Sequence, residues 1–268
     1  MELGMLPTYF LSHGGGPWPW MKTEFGGAYD VLDASLRDIE RQIGGKPKAV
    51  LVVTAHWEGG DFTLSSGAQP DMIYDYGGFP PHTYAIRYGA PGSPELAARA
   101  QALLQEAGIA AGLDAQRGFD HGTFSAMYPV FPEADVPIVQ LSLKRGLDPL
   151  AHLAAGRALR PLRDEGVLIV GSGLSYHNLR AFNGAGAAAS HQFDGWLRQA
   201  MALAPKERAI ALMNWDRAPA ARAAHPREEH LLPLMVALGA AEDDPATVVY
   251  HEDAFMGALA VSSFRFGN

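Results

Sequence analysis

The sequence predicts an α/β fold: one domain over residues 1–268, with a central, mostly parallel sheet flanked by helices. Three observations carry this expectation. Short, β-branched apolar runs alternate with longer stretches whose apolar residues recur at helical spacing. The run Ala49-Val50-Leu51-Val52-Val53 is apolar without interruption, as in a strand covered on both faces. A chain of 268 residues, 48% hydrophobic and 19% charged, is long and apolar enough to bury a sizeable core.

Thr8-Tyr9-Phe10-Leu11 reads as the first strand, running into the Gly-rich stretch Ser12-His13-Gly14-Gly15-Gly16-Pro17. Helical spacing covers 29–43 and stops at Gly44-Gly45. The strand at 49–53 is followed by another at 62–66. Ser93 is placed as an N-cap with Pro94 at the first helical position, opening a helix to 107. Strands at 138–141 and 167–170 bracket a helix over 149–165. Helical patterns cover 192–203 and 228–238, and strands at 247–251 and 259–266 close the chain. The stretches 181–190 and 218–227 read as loops within the domain, of a length often tied to function.

Composition excludes several classes. With no cysteine there is no disulfide framework, thiolate zinc site, iron–sulfur cluster or Cys nucleophile, so any metal is held by nitrogen and oxygen. A formal charge of −8 argues against nucleic acid, whose binders need basic faces. The start Met1-Glu2-Leu3-Gly4-Met5-Leu6-Pro7 lacks the basic and apolar regions of a signal peptide. No run of 18 apolar residues offers a membrane span. A cytoplasmic protein is expected.

The ten histidines are the informative residues. His13 follows the first strand. His56 follows the run 49–53, in Thr54-Ala55-His56-Trp57-Glu58, and His177 follows the strand at 167–170. Ligands of open α/β sheets bind beyond the carboxyl ends of the strands, so these three can converge on one crevice. His121, in Gly118-Phe119-Asp120-His121-Gly122, is read as a loop residue, and His230 as the start of a helix. Imidazole suits Fe, Zn, Cu and Ni alike, so the pattern implies a metal without selecting it. His82, His152, His191, His225 and His251 are left without a task.

His13-Gly14-Gly15-Gly16 is similar to the oxyanion loop of lipases, but that chemistry requires a Gly-x-Ser-x-Gly elbow. The nearest candidate, Gly173-Leu174-Ser175-Tyr176-His177, has His at the last position.

An ordered set of motifs resembles the class III extradiol ring-cleavage dioxygenases, in the 4,5-DOPA dioxygenase branch. It comprises Leu11-Ser12-His13-Gly14, Val52-Val53-Thr54-Ala55-His56-Trp57-Glu58, Tyr74-Asp75-Tyr76-Gly77-Gly78-Phe79-Pro80 and Ala90-Pro91-Gly92-Ser93-Pro94. It continues through Gly118-Phe119-Asp120-His121-Gly122, Pro137-Ile138-Val139-Gln140-Leu141-Ser142, Gly171-Ser172-Gly173 with His177-Asn178-Leu179-Arg180, and Glu229-His230-Leu231-Leu232-Pro233-Leu234. The resemblance implies that His13, His56 and His230 hold the metal, with Glu228 or Glu229 as the alternative third ligand. It implies that His177 is the acid/base facing substrate and O2, also able to act as a fourth ligand, and that His121 contacts substrate or oxygen. The implied cofactor is Fe(II), which Zn2+ can replace in purified protein. The implied substrates are a small aromatic diol, DOPA-like, and O2. One metal with adjacent open positions suits that chemistry, and histidine near its ordinary pKa can both take and return a proton.

The chain departs from the branch after His13, where Gly14-Gly15-Gly16-Pro17 stands in place of the usual Gly-Ser-Pro and is followed by Trp18-Pro19-Trp20. Trp18 is thereby either a stacking surface for substrate or a loop anchor. Phe79 is expected to frame a planar substrate, and Arg180 to meet a substrate carboxylate. Two other readings use the same residues: a zinc-dependent hydrolase, and a non-catalytic binding protein of the same fold.

Overall fold

Eight strands form one sheet among the described residues of the computed structural model, which cover 4–268. Met1, Glu2 and Leu3 of the stretch read for a signal peptide lie outside them. The strands are β1 (Thr8–Ser12), β2 (Ala49–Gly59), β3 (Phe62–Ser65), β4 (Ala111–Asp114), β5 (Ile138–Lys144), β6 (Val167–Gly173), β7 (Ala246–Phe255) and β8 (Leu259–Phe266). Their order is β4-β3-β5-β2-β6-β1-β8-β7. The four central strands β5, β2, β6 and β1 are mutually parallel. Antiparallel β8 and β7 extend one side, and β3, antiparallel to β5, begins the other. The mostly parallel α/β sheet expected from the sequence is the one observed.

The helices are α1 (Asp30–Arg37), α2 (Ile39–Gln42), α3 (Pro94–Glu106), α4 (His121–Val130), α5 (Pro149–Leu159), α6 (Ala187–Met201), α7 (Pro205–Met213), α8 (Ala221–Ala224) and α9 (Leu232–Ala240). Ser93 caps α3 as expected, its side chain accepting the Leu96 N–H at 3.1 Å. Among the described residues no helix is long and apolar enough to cross a membrane.

Several boundaries differ from expectation, each for a local reason. β2 does not stop at Val53 but continues to Gly59, pairing again with β5 after a register shift between Val53 and Glu58. His56 therefore sits on an irregular span inside a strand, where a bulge redirects side chains. The expected loop 181–190 is helical from Ala187, where three consecutive alanines favour the helix. The expected loop 218–227 contains the short α8. α9 starts at Leu232 and not at 228, because Pro233 lies in its first turn, where a missing N–H costs nothing. α4, α7 and β4 were not expected from the sequence.

The core lies on the two sides of the central strands, with residues 49–53 of β2 and every residue of β6 and α9 buried. Glycine lets α9 approach. A Cβ added at Gly171 would stand 2.3 Å from the Pro233 carbonyl oxygen, and one at Gly173 would stand 2.1 Å from that of His230. The Gly171-Ser172-Gly173 segment thus brings the His230 backbone directly onto the end of β6.

Candidate metal centre

Because β2, β6 and β1 are adjacent and parallel, their carboxyl ends share one edge of the sheet. His13 leaves β1 with its N–H donated to Gly173 at 3.0 Å. His56 projects from the irregular span of β2. His230 precedes α9, its carbonyl accepting the Leu174 N–H at 3.0 Å. His177 follows β6 and donates its backbone N–H to Ala224 at 3.0 Å. His121 is not in a loop: it is the first residue of α4, whose N-cap Asp120 accepts the Thr123 N–H at 3.1 Å. All five line one cavity of about 490 Å3.

Three imidazole nitrogens converge. His56 Nε2 lies 3.2 Å from His13 Nε2 and 3.2 Å from His230 Nε2. One ring nitrogen carries either one proton or one in-plane lone pair, so hydrogen bonding cannot satisfy His56 Nε2 in both directions. The protons are accounted for elsewhere. The Ser172 hydroxyl donates to the Gly122 carbonyl, so toward His13 Nδ1 at 3.2 Å it accepts. His230 Nδ1 donates to Glu229 Oε1 at 3.0 Å, and His56 Nδ1 faces Asp75 Oδ2 at 3.3 Å. Carboxylates only accept, so His230 carries its proton on Nδ1, as His13 does toward Ser172, and both aim an Nε2 lone pair inward; His56 turns its Nδ1 to Asp75 at ion-pair distance. At ligand distances of about 2.0–2.1 Å, two imidazole nitrogens on one ion stand roughly 3.0–3.4 Å apart. The triad fits a divalent metal.

Electrostatics agree with this protonation pattern. Burial, then the neighbouring imidazoles, holds His13 and His230 well below the ordinary histidine range, and His56 is held down at about 3. Burial opposes ionisation of Asp75, but the hydrogen bonds from the ring and backbone N–H of His121 outweigh it, lowering its pKa. Glu229 is lowered in the same way against burial, by His177, a backbone N–H and Arg227. Two ionised carboxylates therefore face three neutral imidazoles.

Other groupings are possible on proximity alone. His13, His56 and His121 offer nitrogens within 4.8 Å of one another, as do the donor atoms of His177, Glu229 and His230. The second grouping is a carboxylate accepting from two imidazoles, since Glu229 Oε1 lies 3.0 Å from His230 Nδ1 and 3.2 Å from His177 Nδ1. In the structure Glu229 Oε1 is turned to the Nδ1 atoms of His230 and His177. The ring of His177 stacks on that of His230 with centroids 3.3 Å apart, which keeps it beside the triad.

The residues expected to contact substrate differ in their placement. Phe79 lines the cavity, as do Phe25, Leu174, Leu179, Phe182 and Met256. Trp18 does not. It is fully buried, donates Nε1–H to the His13 carbonyl at 2.7 Å and stacks on Tyr29 with centroids 4.8 Å apart. It anchors the loop that carries His13. Gly14, at φ +73°, leaves the space its indole fills, since a Cβ there would stand 2.5 Å from the ring. Arg180 is exposed and lies in an adjoining groove of about 400 Å3 that shares His177 and Leu179 with the cavity. Sequence reasoning missed Asp75 and Ser172, and weighed Glu229 only as a ligand. The five unassigned histidines stay outside the triad; His152, for instance, is buried between the Asp148 carbonyl and the Lys144 N–H.

A family model described as the catalytic LigB subunit of aromatic ring-opening dioxygenase matches residues 7–266. The chain is 39% identical over 279 residues to a protein of Hapsidospora irregularis named Dioxygenase tasH, with 96% of this chain and 84% of the relative covered. It is 40% identical over 272 residues to the 4,5-DOPA dioxygenase extradiol of Portulaca grandiflora, covering 99% and 97%. A crystal structure of an uncharacterised Escherichia coli K12 protein is similar over 98% of this chain and 100% of its own, with 29% identity and a TM-score of 0.78.

Proposed function

Because the chain belongs to the LigB family of catalytic subunits of aromatic ring-opening dioxygenases, which are metal-dependent extradiol ring-cleaving enzymes, we propose that it uses mononuclear Fe(II) to open a catechol-type, DOPA-like ring beside its hydroxyls. The observation that carries this reading is the convergence of the His13, His56 and His230 Nε2 atoms, with the Nδ1 atoms of His13 and His230 hydrogen-bonded to Ser172 and Glu229 and that of His56 turned to Asp75. Iron held by His13, His56 and His230 would supply the redox chemistry that lets O2 react with an aromatic diol.

The remaining work falls to this chain's side chains. His177 directs its Nδ1–H to Glu229, which leaves Nε2 with the lone pair that accepts a catechol proton. Glu229 then faces the imidazolium and stabilises it until the proton is returned. His121, its Nδ1–H given to Asp75 at 2.9 Å, offers a second basic nitrogen to substrate. Phe79, Phe182 and Leu174 bound a planar ring and exclude water from the reacting face. Among the described residues no Lys or Arg lines the cavity, so a substrate carboxylate is assigned to Arg180 in the adjoining groove. The single catalytic domain over 1–268 and a cytoplasmic location belong to the same proposal.

Protein loaded anaerobically with Fe(II) and given DOPA or another catechol is expected to consume O2 and form a yellow semialdehyde. Absence of ring cleavage across a catechol panel at full iron occupancy overturns the proposal. Ester or amide hydrolysis by zinc-loaded protein identifies the hydrolase reading instead.

A further inference from the structure

We propose that Asp75 is a positioning residue that couples the metal ligand His56 to His121, an inference that rests on the dioxygenase reading above. Its two oxygens are divided between two histidines. Oδ1 accepts both the backbone N–H and the ring Nδ1–H of His121, each at 2.9 Å. Oδ2 faces His56 Nδ1 at 3.3 Å. The two rings stand 3.9 Å apart, centroid to centroid.

This arrangement makes the two histidines dependent on each other. Rotation of the carboxylate about its Cβ–Cγ bond changes both contacts at once, so neither ring can be reset alone. His121 is also fixed by main chain and side chain to one oxygen, which ties the ring to the first turn of α4. A ligand histidine oriented through its second nitrogen is an ordinary device. Here the same carboxylate also holds His121.

Asp75 belongs to a stiff loop. Tyr74 Oη donates to the Ile86 carbonyl at 2.8 Å and Tyr76 Oη to that of Thr83 at 2.6 Å. Phe79, from the same loop, packs on Gly16, where a Cβ would stand 2.8 Å from the phenyl ring. One segment therefore supplies a cavity wall and the clamp between metal and substrate histidines.

The test uses full-length protein loaded with diamagnetic Zn2+ and labelled with nitrogen-15 histidine, read by long-range proton–nitrogen correlation and by chelator competition. In the unsubstituted protein His56, His121 and His230 are expected in the Nδ1–H tautomer. Asp75→Asn keeps the shape but offers one acceptor oxygen and an NH2 group, so His56 or His121 must lose that signature. Metal affinity is expected to fall by about 10–100-fold, while His230, held by Glu229, keeps its signals. As the reciprocal experiment, His121→Gln should shift the His56 resonances and leave His230 unmoved, which keeps the proposal testable if Asp75→Asn folds poorly. Unchanged tautomers and affinity in Asp75→Asn, or unmoved His56 signals in His121→Gln, overturn it. These signals do not depend on turnover, so failure of catechol cleavage refutes the dioxygenase reading separately.

Discussion

At the scale of single residues, five histidines share one cavity but their tasks differ by what each second nitrogen touches. Removing a ligand empties the centre, whereas removing a proton-transfer group leaves it filled. His230→Ala is expected to lose metal, and His177→Ala to bind metal stoichiometrically while losing turnover; metal analysis beside an oxygen electrode separates the two. Equal metal loss in both variants would make His177 a ligand and not the acid/base. The five histidines were legible in the sequence because strand ends and short motifs mark them. Asp75 and Ser172 were not, since their importance lies in hydrogen bonds made across the fold: Asp75 is 46 positions from His121, and Ser172 is 159 from His13. Trp18 shows the converse. Its place beside His13 in sequence left open a stacking surface or a loop anchor; the chain turns at Gly14 and buries the indole beneath the loop, the second of the two.

At the scale of elements, the centre depends on how closely α9 sits against β6. Gly173→Ala puts a methyl group into the His230 carbonyl, and backbone cannot yield as a flexible side chain does. The expected cost is about 1–3 kcal/mol of stability, accompanied by weakened metal binding because His230 moves with its carbonyl. Gly184→Ala, where a Cβ meets nothing within 4 Å, is the control and should leave metal binding unchanged. Thermal melts and metal titration check both; normal metal affinity in Gly173→Ala would show that the close approach does not set the ligand. The central strands were readable as uninterrupted apolar runs. α4 was not, because all but one of its ten residues are buried, leaving no polar stripe, and Pro129 lies inside it. β4 is four residues long and lies at the end of the sheet, too short to show a pattern. The extension of β2 through His56 was hidden because Thr54-Ala55-His56-Trp57 breaks the apolar run while the backbone continues.

At the scale of the whole molecule, collecting neutral histidines in the interior makes stability depend on pH. The unfolded chain protonates them near pH 6.5, about the ordinary histidine value. Folded, burial and mutual repulsion lower His13 and His230 far below that value and place His56 at about 3. A depressed folded value means that the associated stability is complete above about pH 6.5 and is lost as pH falls through the folded values. Asp75 and Glu229, also lowered, add the same sign at more acid pH. Asp120, raised by burial and by the charge of Asp75, acts in the opposite direction. The melting temperature of metal-free protein should therefore fall as pH is taken from about 7 toward about 4, and metal should raise it by mass action at neutral pH. A flat profile, or no stabilisation by metal, contradicts a buried site of neutral ligands.

An aromatic diol opened in this cavity is expected to take up both atoms of O2. The most direct measurement supplies labelled O2 to Fe(II)-loaded protein with a catechol it turns over, and reduces the product with borohydride before the aldehyde oxygen exchanges. Two labelled oxygens in the ring-opened product are expected. One labelled atom, none, or an intact ring would overturn ring opening by a dioxygenase at this site.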